Sequence, residues 1–339
     1  MILVTGGTGL VGTHLLLQLV RAGTKVRATY RESNSLQRVK QVFSYYGKDA
    51  EVLFGKIDWV AADINDLMAL ESSFEGVTHV YHCAALISFD PRDFGLLMKI
   101  NTEGTANIVN VCLAFGVQKL CYVSSTATVG RPLNGQMATE EDFGRDRHPG
   151  VYAISKELAE LEVWRGSQEG LAVVIVNPGI ILGPGFWDKG SGLLFGMAAR
   201  GRIFVPPGGT GFVGVSDVVE IMVQLMHSPL QNERYILVGK NMTYKELLTI
   251  IGKEFNRPGP AFTLPGWLLH LLWRADWLRS RLFKGGRRLT KSAVVSLKNP
   301  VAYNNAKVSG AINYRFAPLD EIIAFSCRRF REEKAGLIH

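Results

Sequence analysis

Gly6-Gly7-Thr8-Gly9-Leu10-Val11-Gly12 stands between a short apolar run, Ile2-Val4, and a stretch with an apolar helical face, Leu10-Arg21, that Gly23 ends. A strand, a tight glycine turn and a helix in that order leave backbone N–H groups at a helix N-terminus with no side chains in the way. Gly7, Gly9 and Gly12 match a G-x-G-x-x-G spacing, and Gly6, Gly9 and Gly12 match a G-x-x-G-x-x-G one. With this context on both sides, Gly6, Thr8, Gly9, Leu10, Val11 and Gly12 read as a cradle for a nucleotide pyrophosphate.

Outward from the loop, strand and helix signals alternate. Lys25-Tyr30, Ile57-Ala62, His79-Cys83, Leu120-Ser124 and Val173-Asn177 read as strands. Leu67-Phe74, Thr102-Phe115 and Ser155-Gln168 read as helices between them. That alternation implies an α/β fold, a parallel sheet covered by helices on both faces, with its ligand beyond the carboxyl ends of the strands. After Pro178 the pattern loosens into glycine and proline loops, Ser216-His227 reads as a helix returning to the sheet, and helices dominate from about residue 240.

The chain has 339 residues, 47% hydrophobic and 20% charged, as expected of an ordinary globular protein. Strand-like residues begin at Ile2, which leaves no room for a signal peptide, and no apolar run suggests a membrane span. Cys83, Cys112, Cys121 and Cys327 lack metal spacing and read as buried reduced thiols, consistent with a cytoplasmic protein that holds no metal. The net charge is +8, concentrated at Arg274, Arg279, Arg281, Lys284, Arg287, Arg288 and Lys291. No nucleic-acid module accompanies it, so DNA and RNA are disfavoured as partners. A solvated basic face is the plain reading; an anionic substrate or a membrane surface is the alternative.

Tyr152 and Lys156 lie four apart and share a helix face. A lysine charge there can lower the phenol pKa from about 10 and suit Tyr152 to proton exchange near neutral pH. Beside them, Leu120-Ser124 runs into a string of hydroxyl residues, which can hold a substrate oxygen. The usual spacing puts Tyr30, which is not acidic, where an acid would bind a ribose hydroxyl, and Arg31 comes next, suited to a 2′-phosphate with help from Arg38 and Lys40. NADP is therefore favoured over NAD. His82 reads as a core histidine, and Asn101 as the cap of the helix after it.

These elements, with Ala62-Asp63-Ile64-Asn65-Asp66, His82-Cys83-Ala84-Ala85, Asn101…Thr105, Ser124-Ser125-Thr126 and Asn177-Pro178-Gly179…Gly183-Pro184, carry a family resemblance. The chain resembles the extended short-chain dehydrogenases/reductases, the NAD-dependent epimerase/dehydratase superfamily, over nearly its whole length. The resemblance implies a Rossmann-type doubly wound domain, 1–179 with 212–238 returning to it. It also implies a smaller, mostly helical substrate lobe, 180–211 and 239–339. By position, Asp63 would bind the adenine amine with Ile64 against the ring, and Ala84 and Ala85 would line the cofactor. Ser124 belongs to the same set. Lys156 would bind the nicotinamide ribose, and Pro178, Gly179 and Ile181 would flank the nicotinamide. Tyr152 would be the general acid/base and Thr126 the catalytic hydroxyl, with Ser125 in reserve.

Many sugar-nucleotide members carry a Tyr-Gly pair where this chain has Val129-Gly130. The resemblance is therefore nearest the dihydroflavonol reductase and 3β-hydroxysteroid dehydrogenase branch. It implies an NAD(P)H-dependent oxidoreductase that interconverts a carbonyl and an alcohol on a small, largely apolar substrate. A nucleotide-sugar epimerase or dehydratase is the alternative, and a non-catalytic NADP-binding regulator a third reading. Leu86, Ile87, Phe89, Thr128, Arg131, Phe186 and Trp187 are the pocket candidates. Leu268-Phe283, with Trp267, Trp273 and Trp277, reads as a lid, a homodimer contact or, over 267–288, a membrane-grazing helix. Relatives commonly dimerise through two helices of the sheet domain.

Overall fold

Alternate residues of the buried strands point to opposite faces of one central sheet, and each face carries its own core. A computed structural model describes residues 1–130, 132, 135–143, 149–201, 204–282, 287 and 289–336. Its strands are β1 (Ile2–Thr5), β2 (Val26–Tyr30), β3 (Ile57–Ala61), β4 (His79–His82), β5 (Lys119–Val123), β6 (Ala172–Pro178), β7 (Ile180–Leu182), β8 (Phe204–Val205), β9 (Gly209–Gly214), β10 (Glu233–Leu237), β11 (Lys240–Thr243) and β12 (Phe262–Thr263). Its helices are α1 (Leu10–Arg21), α2 (Ser35–Ser44), α3 (Ala50–Gly55), α4 (Leu67–Ser73), α5 (Phe94–Leu97), α6 (Gly104–Ala114), α7 (Val151–Gln168), α8 (Gly192–Ala199), α9 (Val215–His227), α10 (Tyr244–Glu254), α11 (Gly266–Leu282), α12 (Lys291–Lys298), α13 (Ala306–Ala311) and α14 (Leu319–Lys334).

Seven parallel strands form the central sheet in the order β10-β6-β5-β4-β1-β2-β3. Val4, Tyr81, Cys121, Val174 and Val176 face one core with Leu16 and Leu19 of α1 and Val218 and Met222 of α9. Leu3, Val80, Leu120, Tyr122, Val173 and Ile175 face the other, with Ile108 and Cys112 of α6 and Ala159 and Val163 of α7. Burial on both faces explains why these strands read as near-continuous apolar runs. The chain is an α/β protein with a doubly wound parallel sheet, as its sequence implies.

Two small sheets, β11-β9-β7 and β12-β8, lie beyond the central one. A third core gathers Leu182, Trp187, Phe195, Phe212, Leu247, Ile251, Ile323 and Cys327 from β7, β9, α8, α10 and α14 and the loop after β7. The seventh strand, β10, and helices α2 and α3 were not read from sequence. The β10 residues Glu233-Arg234 put two charges at the start of a short strand, and only its parallel pairing with β6 reveals it. The helix read over Ser155-Gln168 begins four residues earlier, at Val151, so Tyr152 stands in its first turn. Among the described residues no helix is long and apolar enough to cross a membrane.

Candidate active site

β1 ends at Thr5, and the glycine turn closes against the end of β4. Gly6 has φ +68°, and a Cβ there would lie 2.6 Å from the Ala84 nitrogen. A Cβ on Gly12 would lie 2.2 Å from the Gly6 carbonyl oxygen, so turn and helix pack backbone to backbone. Gly9 caps α1 with no side-chain acceptor, which leaves the Leu10, Val11 and Gly12 amides without helical partners. A Cβ on Gly9 would meet only the Gly6 carbonyl, at 3.4 Å. The result is an open, unscreened cradle of donors that fits a pyrophosphate. Thr8 sits in the turn, Ala84 backs Gly6, and Ala85, next along, is exposed.

The other cofactor candidates divide. Arg31 is exposed just past the carboxyl end of β2, with no acidic partner among the described residues. Arg38 pairs instead with Asp188 at 2.5 Å, and Lys40 with Glu51 at 2.9 Å. Asp63 turns one carboxylate oxygen onto the Asn65 amide at 2.9 Å. Ile64 is buried against Gly104, a core position and not a free face for a ring. Pro178 ends β6 beside Gly179, which packs on the Gly211 carbonyl, and the Ile181 carbonyl accepts from Ser191 Oγ at 2.5 Å.

The side chain expected to tune Tyr152 is turned elsewhere. Lys156 is fully buried and donates to the Tyr122 hydroxyl at 2.5 Å and to the Val123 carbonyl at 2.9 Å. Burial lowers its pKa to about 7, opposed by the nearby Glu160 carboxylate. Burial also pushes the Tyr152 phenol up to about 12, opposed by a hydrogen bond with the Ser125 side chain. The expectation that Lys156 draws this phenol toward neutrality is not met, because Tyr122 and Val123 hold the ammonium.

Of the strand-end hydroxyls, Ser125 is the one that acts on the Tyr152 phenol, drawing its pKa down against burial. Ser125 is extended, with φ −161° and ψ 152°, and its Oγ also accepts from the Ala127 amide at 3.1 Å. Thr126 opens the 3-10 turn Thr126–Thr128 and is buried, its carbonyl accepting from Val129. Ser124 points the opposite way, donating to Glu160. Extended backbone alternates side chains, so neighbouring serines serve opposite sides of the site.

Sequence reasoning missed what supports this corner. Glu160 is fully buried and accepts from Ser124, from Thr128 Oγ1 at 2.8 Å and from Asn177 Nδ2 at 2.6 Å. Arg234 of β10 faces it at 3.4 Å, donates to the Glu140 carbonyl and lies 4.6 Å from the Phe143 ring centre. Glu160 continues the Tyr152, Lys156 face by one more turn, a spacing that could have exposed it. Arg234 and Glu140 left no local signal. On the other side of Lys156, Tyr122 interacts with Thr105, which bonds His82 Nε2 at 3.0 Å; His82 Nδ1 reaches Thr5 at 2.7 Å. Burial lowers the His82 pKa to about 3, so it is a neutral, satisfied core histidine.

Asn101 is not a helix cap. It lies in a π-helical stretch, Met98–Glu103, inside a continuous helical run. Its side chain accepts from the Leu86 amide at 2.8 Å and donates to the Leu86 carbonyl at 3.0 Å and Ser155 Oγ at 2.9 Å. It thereby ties the loop after β4 to the helix of Tyr152. That loop carries Phe89 edge-on to Tyr152, with centroids 5.6 Å apart, and leaves Ile87 exposed. Phe186 and Trp187 are not pocket walls. Phe186 packs on Val42 and Tyr45, and Trp187 packs on Phe195 and Phe330 with its Nε1 donating to Glu333 at 2.6 Å. Thr128 is buried on Glu160, and Arg131 lies outside the described residues.

The glycine turn, Tyr152 and the buried Lys156 one turn on meet near the carboxyl ends of β1, β4 and β5. The profile of the NAD dependent epimerase/dehydratase family matches residues 2–239. The chain belongs to that family. It is an extended short-chain dehydrogenase/reductase, an enzyme whose cofactor is a nicotinamide dinucleotide. It is 32% identical over 289 residues to sterol demethylase protein B of Methylococcus capsulatus, covering 83% of each chain. It is 31% identical to a putative dihydroflavonol 4-reductase of Synechocystis, over 78% of this chain and 75% of that one. The crystal structure of gox2253 superposes with TM-score 0.80 at 25% identity, covering 98% of both chains. A UDP-glucose 4-epimerase of Thermotoga maritima shares the fold, with TM-score 0.77 at 19% identity over 98% of this chain and 99% of that one.

Proposed function

We propose that this enzyme is an NADP(H)-dependent reductase or dehydrogenase acting on one carbonyl/alcohol pair of a small, largely apolar substrate. The observation that carries this reading is the position of Tyr152, in the first turn of α7 one turn before the buried Lys156, with the Phe89 ring edge-on to it at 5.6 Å. The reductase names of similar proteins support it. In this reading residues 180–211 and 239–339 shape the substrate side, and 1–179 with 212–238 hold the cofactor.

The Leu10, Val11 and Gly12 amides would hold the pyrophosphate, and Arg31 a 2′-phosphate. Lys156 would reach the nicotinamide ribose and Asp63 the adenine. When bound, the cofactor supplies or takes the hydride. Tyr152 is protonated at neutral pH, so in reduction its phenol gives a proton to the substrate oxygen as carbon receives the hydride. Ser125 Oγ orients that oxygen and stabilises the charge developing on it. In its protonated form Lys156 places a positive charge behind the phenol, which favours the phenolate left after transfer. Phe89 presents an apolar edge beside the reacting group.

Stoichiometric loss of NADPH with an aldehyde or ketone panel tests the reading, together with Tyr152→Phe. The variant should bind NADPH normally and lose about 10²–10⁴-fold in kcat. Turnover of UDP- or GDP-sugars without net NADPH loss would instead identify an epimerase or dehydratase.

A further inference from the structure

Helix α11 buries only Leu269 among its 17 residues. Trp267, Leu271, Leu278 and Leu282 are 69%, 56%, 50% and 66% exposed, and Arg274 is exposed among them. Their spacing of four, three, four and four puts all five on one face, opposite Leu269 and Asp276. Immediately before the helix, Phe262 of β12 stacks on Phe204 of β8, with centroids 5.9 Å apart and both rings exposed. A run of large apolar side chains along a helix about 25 Å long is more than a solvated surface ordinarily carries.

Along its own stretch of sequence the charge is nearly all of one sign. From Phe262 to Lys298 the sequence holds a single acid, Asp276. That carboxylate is occupied, by Arg279 at 2.8 Å and the Leu289 amide at 3.0 Å. Arg274 and Arg281 are exposed, with the Arg281 guanidinium 5.5 Å from the Trp277 ring centre. Lys298 lays its side chain across Gly266 at the start of the helix. Exposed tryptophans and leucines interleaved with unopposed cations fit the headgroup boundary of an anionic bilayer. A symmetric contact with a second copy would set these arginines against each other with no carboxylate of the patch free to answer them.

The patch is also wired to the candidate site. The Arg287 amide, just past α11, donates to Asp90 at 2.7 Å, next to Phe89. Ser292 of α12 lies against Gly150, the N-cap of the Tyr152 helix. We propose that α11, with the Phe204–Phe262 pair, docks the enzyme on anionic phospholipid surfaces, placing the Phe89–Tyr152 side of the site near apolar substrate dissolved in the bilayer.

Co-sedimentation of the full-length enzyme with vesicles tests this. Equimolar phosphatidylcholine/phosphatidylglycerol vesicles should bind it, with a blue shift in tryptophan fluorescence, and phosphatidylcholine vesicles should bind at least about tenfold less. Trp267→Glu/Leu271→Glu/Leu278→Glu changes only exposed positions; it should abolish vesicle binding and leave NADPH affinity unchanged. The proposal fails if neither vesicle binds, or if the variant binds as well as the parent. It fails equally if the parent is a dimer that the variant dissociates, or if the variant alters only KM for a soluble substrate. NADPH affinity reads the cofactor site independently, so loss of docking leaves the redox reading intact.

Discussion

The Lys156 ammonium donates to the Tyr122 hydroxyl at 2.5 Å, so the cation one turn after Tyr152 is anchored on β5 behind the phenol. The Ser125 side chain is what draws the Tyr152 pKa down against burial. Proton chemistry and charge placement are thus built on two different residues of the same strand end.

That arrangement separates the two adjacent hydroxyls. Ser125→Ala should lower kcat about 10²-fold, as for loss of one donor to a developing oxyanion. Thr126→Ala should leave kcat within the same order of magnitude and act on stability. Steady-state kinetics of both variants decide it; the reverse order would reinstate Thr126.

Lys156 gives the protein a pH signature. Its pKa falls from 10.5 to about 7 on folding, because burial disfavours the charged form. Between those values the unfolded chain binds the extra proton, so this group makes stability rise with pH from about 7 upward and imposes its full penalty below. Urea denaturation of the parent and of Lys156→Met, compared from pH 6 to pH 9, should show the parent gaining on the variant as pH rises. Parallel profiles would mean that Lys156 keeps an ordinary pKa.

Glu160 is expected to hold the corner together. Glu160→Gln leaves Arg234, 8% exposed, without its buried carboxylate. The expected cost is about 3 kcal/mol by chemical denaturation, since breaking a buried pair strands a charge. Adding Arg234→Met should recover part of that loss, because the two residues are coupled. Additive losses would show that the pair is not a unit.

Cofactor selection should rest on Arg31 alone of the three cations near that strand end, because Arg38 and Lys40 are committed to Asp188 and Glu51. Arg31→Ala should raise the NADPH Kd about tenfold, as for one lost charge-assisted hydrogen bond, and leave NADH affinity unchanged. Equal losses for both cofactors, measured by fluorescence titration, would remove the 2′-phosphate assignment.

Helix α1 was read from the sequence with both ends correct, because an apolar face bounded by Gly9 and Gly23 is a local signal. Asn101 misled because an Asn before a helical pattern resembles a cap; the π-helical turn that redirects it depends on packing against Leu86 and Ser155. Phe186 and Trp187 misled because a loop aromatic near a strand end looks the same whether it faces a cleft or a core.

The strand–helix alternation behind most of the parallel sheet, the glycine turn into α1 and the placing of Tyr152 and Lys156 one helical turn apart were legible in the sequence alone. Each rests on spacing within one strand or one helix, where backbone geometry dictates which side chains are neighbours. Which hydroxyl meets Tyr152, which group holds Lys156 and how Glu160 is answered were decided only in three dimensions. Those contacts join Tyr122, Ser125, Lys156, Glu160 and Arg234 across β5, α7 and β10, and their partners are chosen by burial, which no local pattern records.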